Sequence, residues 1–202
     1  MSAPPFKTRF APSPTGLLHL GNVRTALFNH LLARHHGGVF LLRLEDTDAM
    51  RGHEKYATAL MDDLRWLGLQ WHEGPEVGGT HGPYEQSQRG EVYREYFSKL
   101  EQQQLAYPCF CSEHELSIAR KTAIAAGRPP RYSGKCRALA AAEVQQRFTQ
   151  GLPSTLRFRV PEGRRVEFTD KVRGSQSFAS DDIGDFVIRR SDGTPAFFFC
   201  NA

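Results

Sequence analysis

A short loop near the start of the chain combines several side chains that could bind a nucleotide phosphate. Ser13 and Thr15 supply hydroxyl groups, His19 supplies an imidazole, and Gly21 has no side chain, all within residues 11–22. We predict that this loop leads into a helix, whose first backbone N–H groups and positive dipole end favour a phosphate. His19 would add a donor, and Gly21 would leave room for a base or a ribose. The alternative interpretation is a proline-rich turn with a surface histidine.

A second group of residues could bind a metal ion. Of the four cysteines, Cys109 and Cys111 are one residue apart and Cys136 follows later. So few cysteines favour a metal site or reduced thiols over a disulfide scaffold. Three thiolates and one oxygen or nitrogen ligand would complete a tetrahedral zinc site, and reduced cysteines without a metal are the alternative. Cys200 lies in an apolar run and is expected in the core.

The elements that would position the first group form a β–α–β unit. A strand is predicted over 7–10, and the prolines and glycine of 11–16 exclude a helix or a central strand there. Apolar residues spaced near 3.6 predict a helix over 22–35, and an apolar run predicts a buried strand over 39–44, which Glu45 ends. In open α/β sheets, ligands lie beyond the carboxyl ends of the strands. We therefore expect the loop and Glu45 at one ligand-binding edge.

The rest of the chain is predicted to hold shorter elements. Helices are expected over 54–67, 91–105, 113–126 and 138–150, and a glycine-rich loop over 74–83. Strands are expected over 156–160, 165–168, around Phe178, over 186–189 and, after a turn, over 196–200. We divide the chain into the first part of an α/β domain at 1–106, an inserted subdomain at 107–185 and a return to the first domain at 186–202. Because an uncapped apolar strand reaches the last residues, we expect the sequence to be a piece of a longer one.

Composition limits the class of protein. The chain has 202 residues, 40% of them hydrophobic, which is typical of a globular protein and excludes collagen, coiled coil and general disorder. The net charge of +4 permits a nucleic-acid partner without demanding one. No apolar run is long enough for a membrane span or a signal peptide, so we expect a cytoplasmic protein without a membrane partner.

Several strings of the sequence together resemble the class I glutamyl-tRNA synthetases. They are RFAPSPTG at 9–16, HLGN at 19–22, RTAL at 24–27, LRLEDTD at 42–48, DLRWLGL at 63–69, SQR at 87–89 and IRRSDGTP at 188–195. The resemblance extends from Arg9 to Asn201 and implies a Rossmann-like parallel sheet with an inserted acceptor-binding α+β subdomain. It further implies that L-glutamate is activated with ATP and Mg²⁺ to glutamyl-adenylate and transferred to the 3′ end of tRNA(Glu) by a monomer.

The resemblance also implies roles for individual residues. His19 and Gly21 would serve catalysis, with His19 stabilising charge on the α-phosphate. The ATP contacts would be Pro12, Thr15, Gly16, His19, Gly21 and Asn22; the glutamate contacts would be Arg9, Ser13, Glu45, Phe197 and Asn201; and the tRNA contacts would be Asp48 and Arg51. The zinc ligands would be Cys109, Cys111 and Cys136, with Tyr132 as the fourth, because a tyrosine four residues before the last cysteine occurs in a tRNA-modifying paralogue.

The sequence departs from the family at two positions and leaves alternatives open. Phe197 stands where many relatives carry a tyrosine, and Ala138 stands where some carry a zinc-binding histidine. One alternative is the paralogue, the glutamyl-queuosine tRNA(Asp) synthetase, although Thr15 and the string RTAL follow the charging enzymes. Another is an inactive tRNA-binding fragment. Since the sequence holds neither a KMSKS-type loop nor an anticodon-binding domain, we expect these 202 residues alone not to aminoacylate tRNA.

Overall fold

A computed structural model describes residues 6–47 and 53–201 of the chain. Its contacts divide the chain into two compact units, Met1–Val92 and Tyr93–Ala202. The predicted tRNA contacts Asp48 and Arg51 lie outside the described residues. Among the described residues, every helix is too short or too polar to cross a membrane.

The first unit is built on the predicted β–α–β arrangement. β1 (Lys7–Phe10) and β2 (Val39–Leu42) pair in parallel, with Arg9 opposite Leu41, and α1 (Leu20–His35) connects them. Thr8 donates a hydrogen bond to the carbonyl of Asn29 over 2.8 Å, which ties the inner face of β1 to α1. The strands and the connecting helix therefore confirm the sequence prediction, although α1 begins two residues earlier and β2 ends two residues earlier than expected.

The segment after α2 (His53–Trp66) continues the sheet beyond β2. Parallel bridges join Leu41 to Glu73 and Leu44 to Glu85. The glycine-rich loop over 74–83 lies between these two bridges, and the buried carboxylate of Glu73 holds it by accepting hydrogen bonds from Lys7, His81 and Tyr84. Behind the sheet, the core of this unit includes Phe40, Leu42, Leu60, Leu64 and Trp71. A 3₁₀ turn over Gln86–Arg89 then leads into α3 (Gly90–Gln102).

The second unit contains an antiparallel sheet and a separate hairpin. The sheet has the order β3 (Ala106–Cys109), β4 (Thr155–Phe158) and β7 (Phe186–Arg189), and the hairpin pairs β5 (Arg165–Asp170) with β6 (Gly174–Ala179). The helices are α4 (Glu113–Ala125), α5 (Ala141–Thr149) and the short α6 (Ser180–Ile183). One face of the sheet packs Ala106, Leu156 and Ile188 against Tyr93 and Phe97 of α3. Its other face carries the cysteine cluster described below.

The predicted strand over 196–200 is wrong, because these residues form the helix α7 (Phe197–Asn201). Pro195 ends the pairing with Arg189, and the following turn is helical. The helical turn buries Cys200 and stacks Phe199 on Phe97 with ring centroids 4.6 Å apart, while it leaves Phe197 and Phe198 exposed. An extended chain would instead alternate buried and exposed residues. The expectation that Cys200 lies in the core is confirmed.

Candidate active site and metal centre

His19 closes the amino-terminal end of α1 with its own side chain. Its Nδ1 accepts a hydrogen bond from the backbone N–H of Gly21 over 3.1 Å. Since Nδ1 is the acceptor, the proton of the neutral imidazole lies on Nε2. The ring is exposed. The cap therefore leaves Nε2–H as a donor that can reach a ligand in front of the helix.

Gly21 has a role that differs from the one expected from the sequence. A Cβ atom at this position would lie 2.9 Å from Cε1 and 3.1 Å from Nδ1 of His19. The space that the missing side chain leaves is therefore filled by the imidazole. Gly21 allows His19 to fold back over the helix end.

The other predicted ATP contacts surround the same helix end. Thr15 and Gly16 lie in the loop before α1, and the N–H of Thr15 donates to the carbonyl of Ser13 over 2.9 Å. Pro12 is buried, and Thr15 is exposed. The N–H of Asn22 donates to the carbonyl of His19 over 2.9 Å, so it continues the helix and is not directed at a ligand.

Glu45 is a buried carboxylate at the carboxyl end of β2. Its Oε1 accepts from Nε of Arg43 over 2.9 Å, and Nε2 of Gln86 reaches both carboxylate oxygens at 3.1 and 3.2 Å. The N–H of Glu45 donates to the carbonyl of Pro12 over 2.9 Å. This backbone bond ties Glu45 to the loop that carries Ser13. The structure thus brings the predicted ammonium-binding acid beside the predicted nucleotide loop.

Arg9 lies in an unusually basic environment. Partial burial and the charges of Arg43 and Arg89 lower the pKa of its guanidinium, while Glu45 opposes them. Arg89 is held in place by hydrogen bonds to the carbonyls of His81 and Pro83. The guanidinium groups of Arg43 and Arg89 near Arg9 favour a ligand that brings negative charge. Sequence reasoning missed Arg43 and Gln86 as parts of this site, although the acid-ended strand places Arg43 only two residues from Glu45.

Phe197 and Asn201 lie on α7 of the second unit. They are four residues apart and therefore share one face of the helix, and Nδ2 of Asn201 donates to the carbonyl of Phe197 over 3.0 Å. The ring of Phe197 is half-exposed, with its nearest aromatic neighbour, Phe198, at a centroid distance of 6.0 Å. The structure thus presents both residues on one exposed face.

The sulfur atoms of Cys109, Cys111 and Cys136 meet in one cluster, all within 4.8 Å of one another. The Oη atom of Tyr132 lies 3.4 Å from Sγ of Cys109 and 3.6 Å from Sγ of Cys111, and the Sγ atoms of Cys111 and Cys136 are 3.6 Å apart. Tetrahedral zinc with three sulfur ligands and one oxygen ligand requires S–S distances of about 3.8 Å and S–O distances of about 3.5 Å. The four side chains therefore fit a zinc ion.

Burial and hydrogen bonds shift the pKa values of Cys109 and Cys111 in opposite directions. Burial raises the pKa of the Cys109 thiol, but its hydrogen bonds with Tyr132 and Arg157 outweigh burial and lower the pKa to about 7. Burial and the neighbouring thiols raise the pKa of Cys111 to about 11. The N–H of Cys136 donates to Oη of Tyr132 over 2.8 Å, which holds the phenol at the cluster. No disulfide links the four cysteines, all of which lie within the described residues.

The chain is similar to proteins of one known family. Residues 5–202 match the family described as tRNA synthetases class I (E and Q), catalytic domain. A glutamate–tRNA ligase 2 of Nitrosococcus oceani is 61% identical over the whole chain, and one of Alkalilimnicola ehrlichii is 62% identical over 97% of it. The crystal structure of a glutamate tRNA ligase from Elizabethkingia meningosepticum in complex with its amino acid superimposes with a TM-score of 0.86, at 37% identity over 96% of this chain.

These likenesses cover only part of the relatives. The chain spans 43% and 41% of the two curated relatives and 40% of the solved structure. Within that part, the structural likeness confirms the α/β, Rossmann-like fold that the sequence predicts. With a match that extends over residues 5–202, the chain belongs to the class I tRNA synthetases for glutamate and glutamine and corresponds to their catalytic domain.

Proposed function

We propose that this chain supplies the adenylate-forming site of a glutamate–tRNA ligase. The observation that carries the proposal is that the charges of the buried Glu45, Arg43 and Arg89 all act on Arg9, in the unit whose helix α1 is capped by His19. A carboxylate suits the ammonium group of an amino acid, and guanidinium groups suit its carboxylates. Glutamate brings one more carboxylate than glutamine, which matches the excess of positive charge at this site.

The proposed reaction begins with attack of the glutamate α-carboxylate on the α-phosphate of ATP. Nε2–H of His19 would donate to a phosphoryl oxygen as negative charge develops there, and the end of α1 would add its dipole. ATP enters with Mg²⁺, which neutralises phosphate charge when it is bound. Pro12, Thr15, Gly16 and Asn22 are proposed to line the nucleotide. Gly21 acts through the position of the imidazole.

Glutamate is proposed to bind with its side-chain carboxylate on Arg9 and its ammonium on Glu45. Arg43 and Gln86 fix the position of the Glu45 carboxylate for this purpose. Ser13, Phe197 and Asn201 are proposed as further contacts of the amino acid. tRNA(Glu) is the proposed acceptor, with Asp48 and Arg51 as contacts, and the protein is proposed to act as a cytoplasmic monomer.

We further propose the division into an α/β domain at 1–106, an acceptor-binding insert at 107–185 and a return to the first domain at 186–202. The insert would place the cysteine cluster and the hairpin of β5 and β6 in one segment of the chain. Acceptor binding can be tested by footprinting on a tRNA acceptor stem. Protection that depends on residues 107–185 is expected, and protection that survives their deletion would contradict the division.

Calorimetry with the 202-residue chain tests the substrate proposal. L-Glutamate should bind more tightly than L-glutamine, and the Arg9→Met variant should lose this preference because the guanidinium fork is gone. Lys55→Met, which removes an exposed cation from α2, is the matched control and should keep the preference. Equal affinity for glutamate and glutamine in the unmodified chain would refute the proposal. The chain alone is expected not to glutamylate tRNA, and measurable glutamylation would overturn that expectation.

We propose that Cys109, Cys111, Tyr132 and Cys136 hold one structural Zn²⁺. The sulfur and oxygen distances support it, as does the match of three thiols and a phenol to the preferences of zinc. A bound ion would fix β3 to the segment that follows α4. Metal analysis of the purified chain should find one equivalent of zinc, and the absence of zinc would refute this part of the proposal.

One observation favours a second candidate, the glutamyl-queuosine tRNA(Asp) synthetase. Tyr132 stands at the cysteine cluster as the fourth candidate ligand, which resembles that modifying enzyme. The two candidates share glutamate activation and differ in the tRNA. A protein that contains this chain should glutamylate unmodified tRNA(Glu) if the first candidate is right. Transfer only to queuosine-containing tRNA(Asp) would establish the second.

A further inference from the structure

Arg157 is a buried cation that lacks a buried carboxylate partner. Its relative exposure is 6%, and its Nε atom has no hydrogen-bond partner. Within residues 6–47 and 53–201, no carboxylate forms an ion pair with it. Its guanidinium donates one hydrogen bond to the backbone carbonyl of Asp185 over 3.3 Å and another to the sulfur of Cys109. A buried charge in this condition is costly unless another group compensates it.

The register of the sheet directs this guanidinium at the cysteine cluster. In the antiparallel pair of β3 and β4, Arg157 stands opposite Tyr107, and Thr155 stands opposite Cys109. Side chains two residues apart share one face, so Arg157 is a diagonal neighbour of Cys109 on the cluster side of the sheet. Its guanidinium also lies 3.9 Å from the centre of the Tyr132 ring. Arg157 therefore contacts two of the four proposed ligands.

The surrounding carboxylates are already engaged with other groups. Asp185 is buried and accepts hydrogen bonds from Arg137 over 2.5 Å, from Tyr107 over 2.6 Å and from the N–H of Val160 over 2.8 Å. Arg137 also pairs with Glu162 at 3.2 Å. The ion-pair partner of the Asp185 carboxylate is therefore Arg137 and not Arg157. The sulfur of Cys109 lies within reach of the Arg157 guanidinium.

We propose that Arg157 is the counter-charge of the zinc centre and strengthens metal binding through its positive charge. Three thiolates and one Zn²⁺ leave a net charge of −1 when Tyr132 is neutral, and one guanidinium cancels it. The inference rests on the proposed metal centre and concerns a residue outside its ligand set. Arg157 is thus a positioning residue, since it acts on the metal through Cys109 and Tyr132.

Zinc affinity measured by chelator competition on the 202-residue chain tests this role. Arg157→Met keeps most of the volume and removes the charge, and it should weaken zinc binding by about 10- to 100-fold. Arg157→Lys keeps a positive charge and should bind zinc more tightly than Arg157→Met does. The matched control is Arg159→Met, which removes a guanidinium that lies over Tyr107 on the same strand face. It should bind zinc within about threefold of the unmodified chain.

The outcomes separate the two proposals. The absorption spectrum of bound Co²⁺ should show the same ligand set in Arg157→Met as in the unmodified chain. Equal zinc affinity of Arg157→Met and the unmodified chain would overturn the role of Arg157 and leave the metal centre intact. The role would also be overturned if Arg157→Lys bound zinc no more tightly than Arg157→Met, or if Arg159→Met lost as much zinc affinity as Arg157→Met. An unmodified chain that binds no zinc would overturn both. If Arg157→Met does not fold, Arg157→Gln replaces it in the same comparison.

Discussion

Replacement of Gly21 by alanine should separate stability from nucleotide binding. The new Cβ would lie 2.9 Å from Cε1 of His19, so the imidazole must rotate away and its hydrogen bond to the N–H of residue 21 is lost. That bond is worth about 0.5–1.5 kcal/mol. Alanine at a helical position offsets about 0.5–1 kcal/mol of this loss. The free energy of unfolding should therefore change by less than about 1 kcal/mol, as measured by urea denaturation.

ATP binding should change far more, because the rotated imidazole no longer directs Nε2–H in front of α1. A hydrogen bond to a charged group is worth about 1.5–3 kcal/mol, so the affinity for ATP should fall by about 10- to 150-fold in calorimetry. His19→Ala should show a similar loss. The two changes act on the same group, and their effects on ATP binding should not add.

The double variant decides between two roles for Gly21. In a chain that already carries His19→Ala, the change Gly21→Ala should leave the ATP affinity unaltered. It should also stabilise the fold by up to about 1 kcal/mol, because the imidazole with which the Cβ atom would clash is gone. A second loss of ATP affinity in this background would refute the reasoning. It would show that a base or a ribose needs the space at Gly21 directly.

Three further predictions follow from other contacts. Glu45→Gln should lower the free energy of unfolding by about 3–5 kcal/mol, because it removes the charge of a buried carboxylate that pairs with the buried guanidinium of Arg43. Asp62→Asn at an exposed pair should change it by under about 1 kcal/mol, and equal effects in urea denaturation would contradict this prediction. Burial raises the pKa of Glu73, but its hydrogen bonds outweigh burial and hold the pKa below 4.5. The stability that Glu73 contributes is therefore present above pH 4.5 and is lost as the pH falls through the pKa of the folded state. Glu73→Gln should flatten this acid dependence in thermal melts, and an unchanged slope would contradict the prediction. Phe197→Tyr should leave glutamate affinity within about threefold in calorimetry, since the ring edge is already half-exposed, and a tenfold gain would show that the missing hydroxyl matters.

The sequence predicts those elements whose side-chain pattern fits only one type of secondary structure. The helix α1 and the strands β1 and β2 follow from apolar spacing and from the prolines and glycine between them, and their bounds are correct within two residues. Residues 196–200 show the limit of the method. A short apolar run fits a strand and a buried helical turn equally well, and only the position of Phe97, about a hundred residues earlier in the chain, selects the helix.

The partners of buried charges also cannot be predicted from apolar spacing, because they come from distant parts of the sequence. Gln86 reaches Glu45 across 41 residues of sequence, and Arg157 reaches the cysteine cluster only because β4 pairs with β3 in one register out of several. A shift of that register by one residue would turn Arg157 toward the apolar face and Leu156 toward the thiols. The cysteines could be read from the sequence because their spacing alone suggests a metal. The cation that balances them depends on strand pairing, which means that the electrostatic half of this site is a property of the fold.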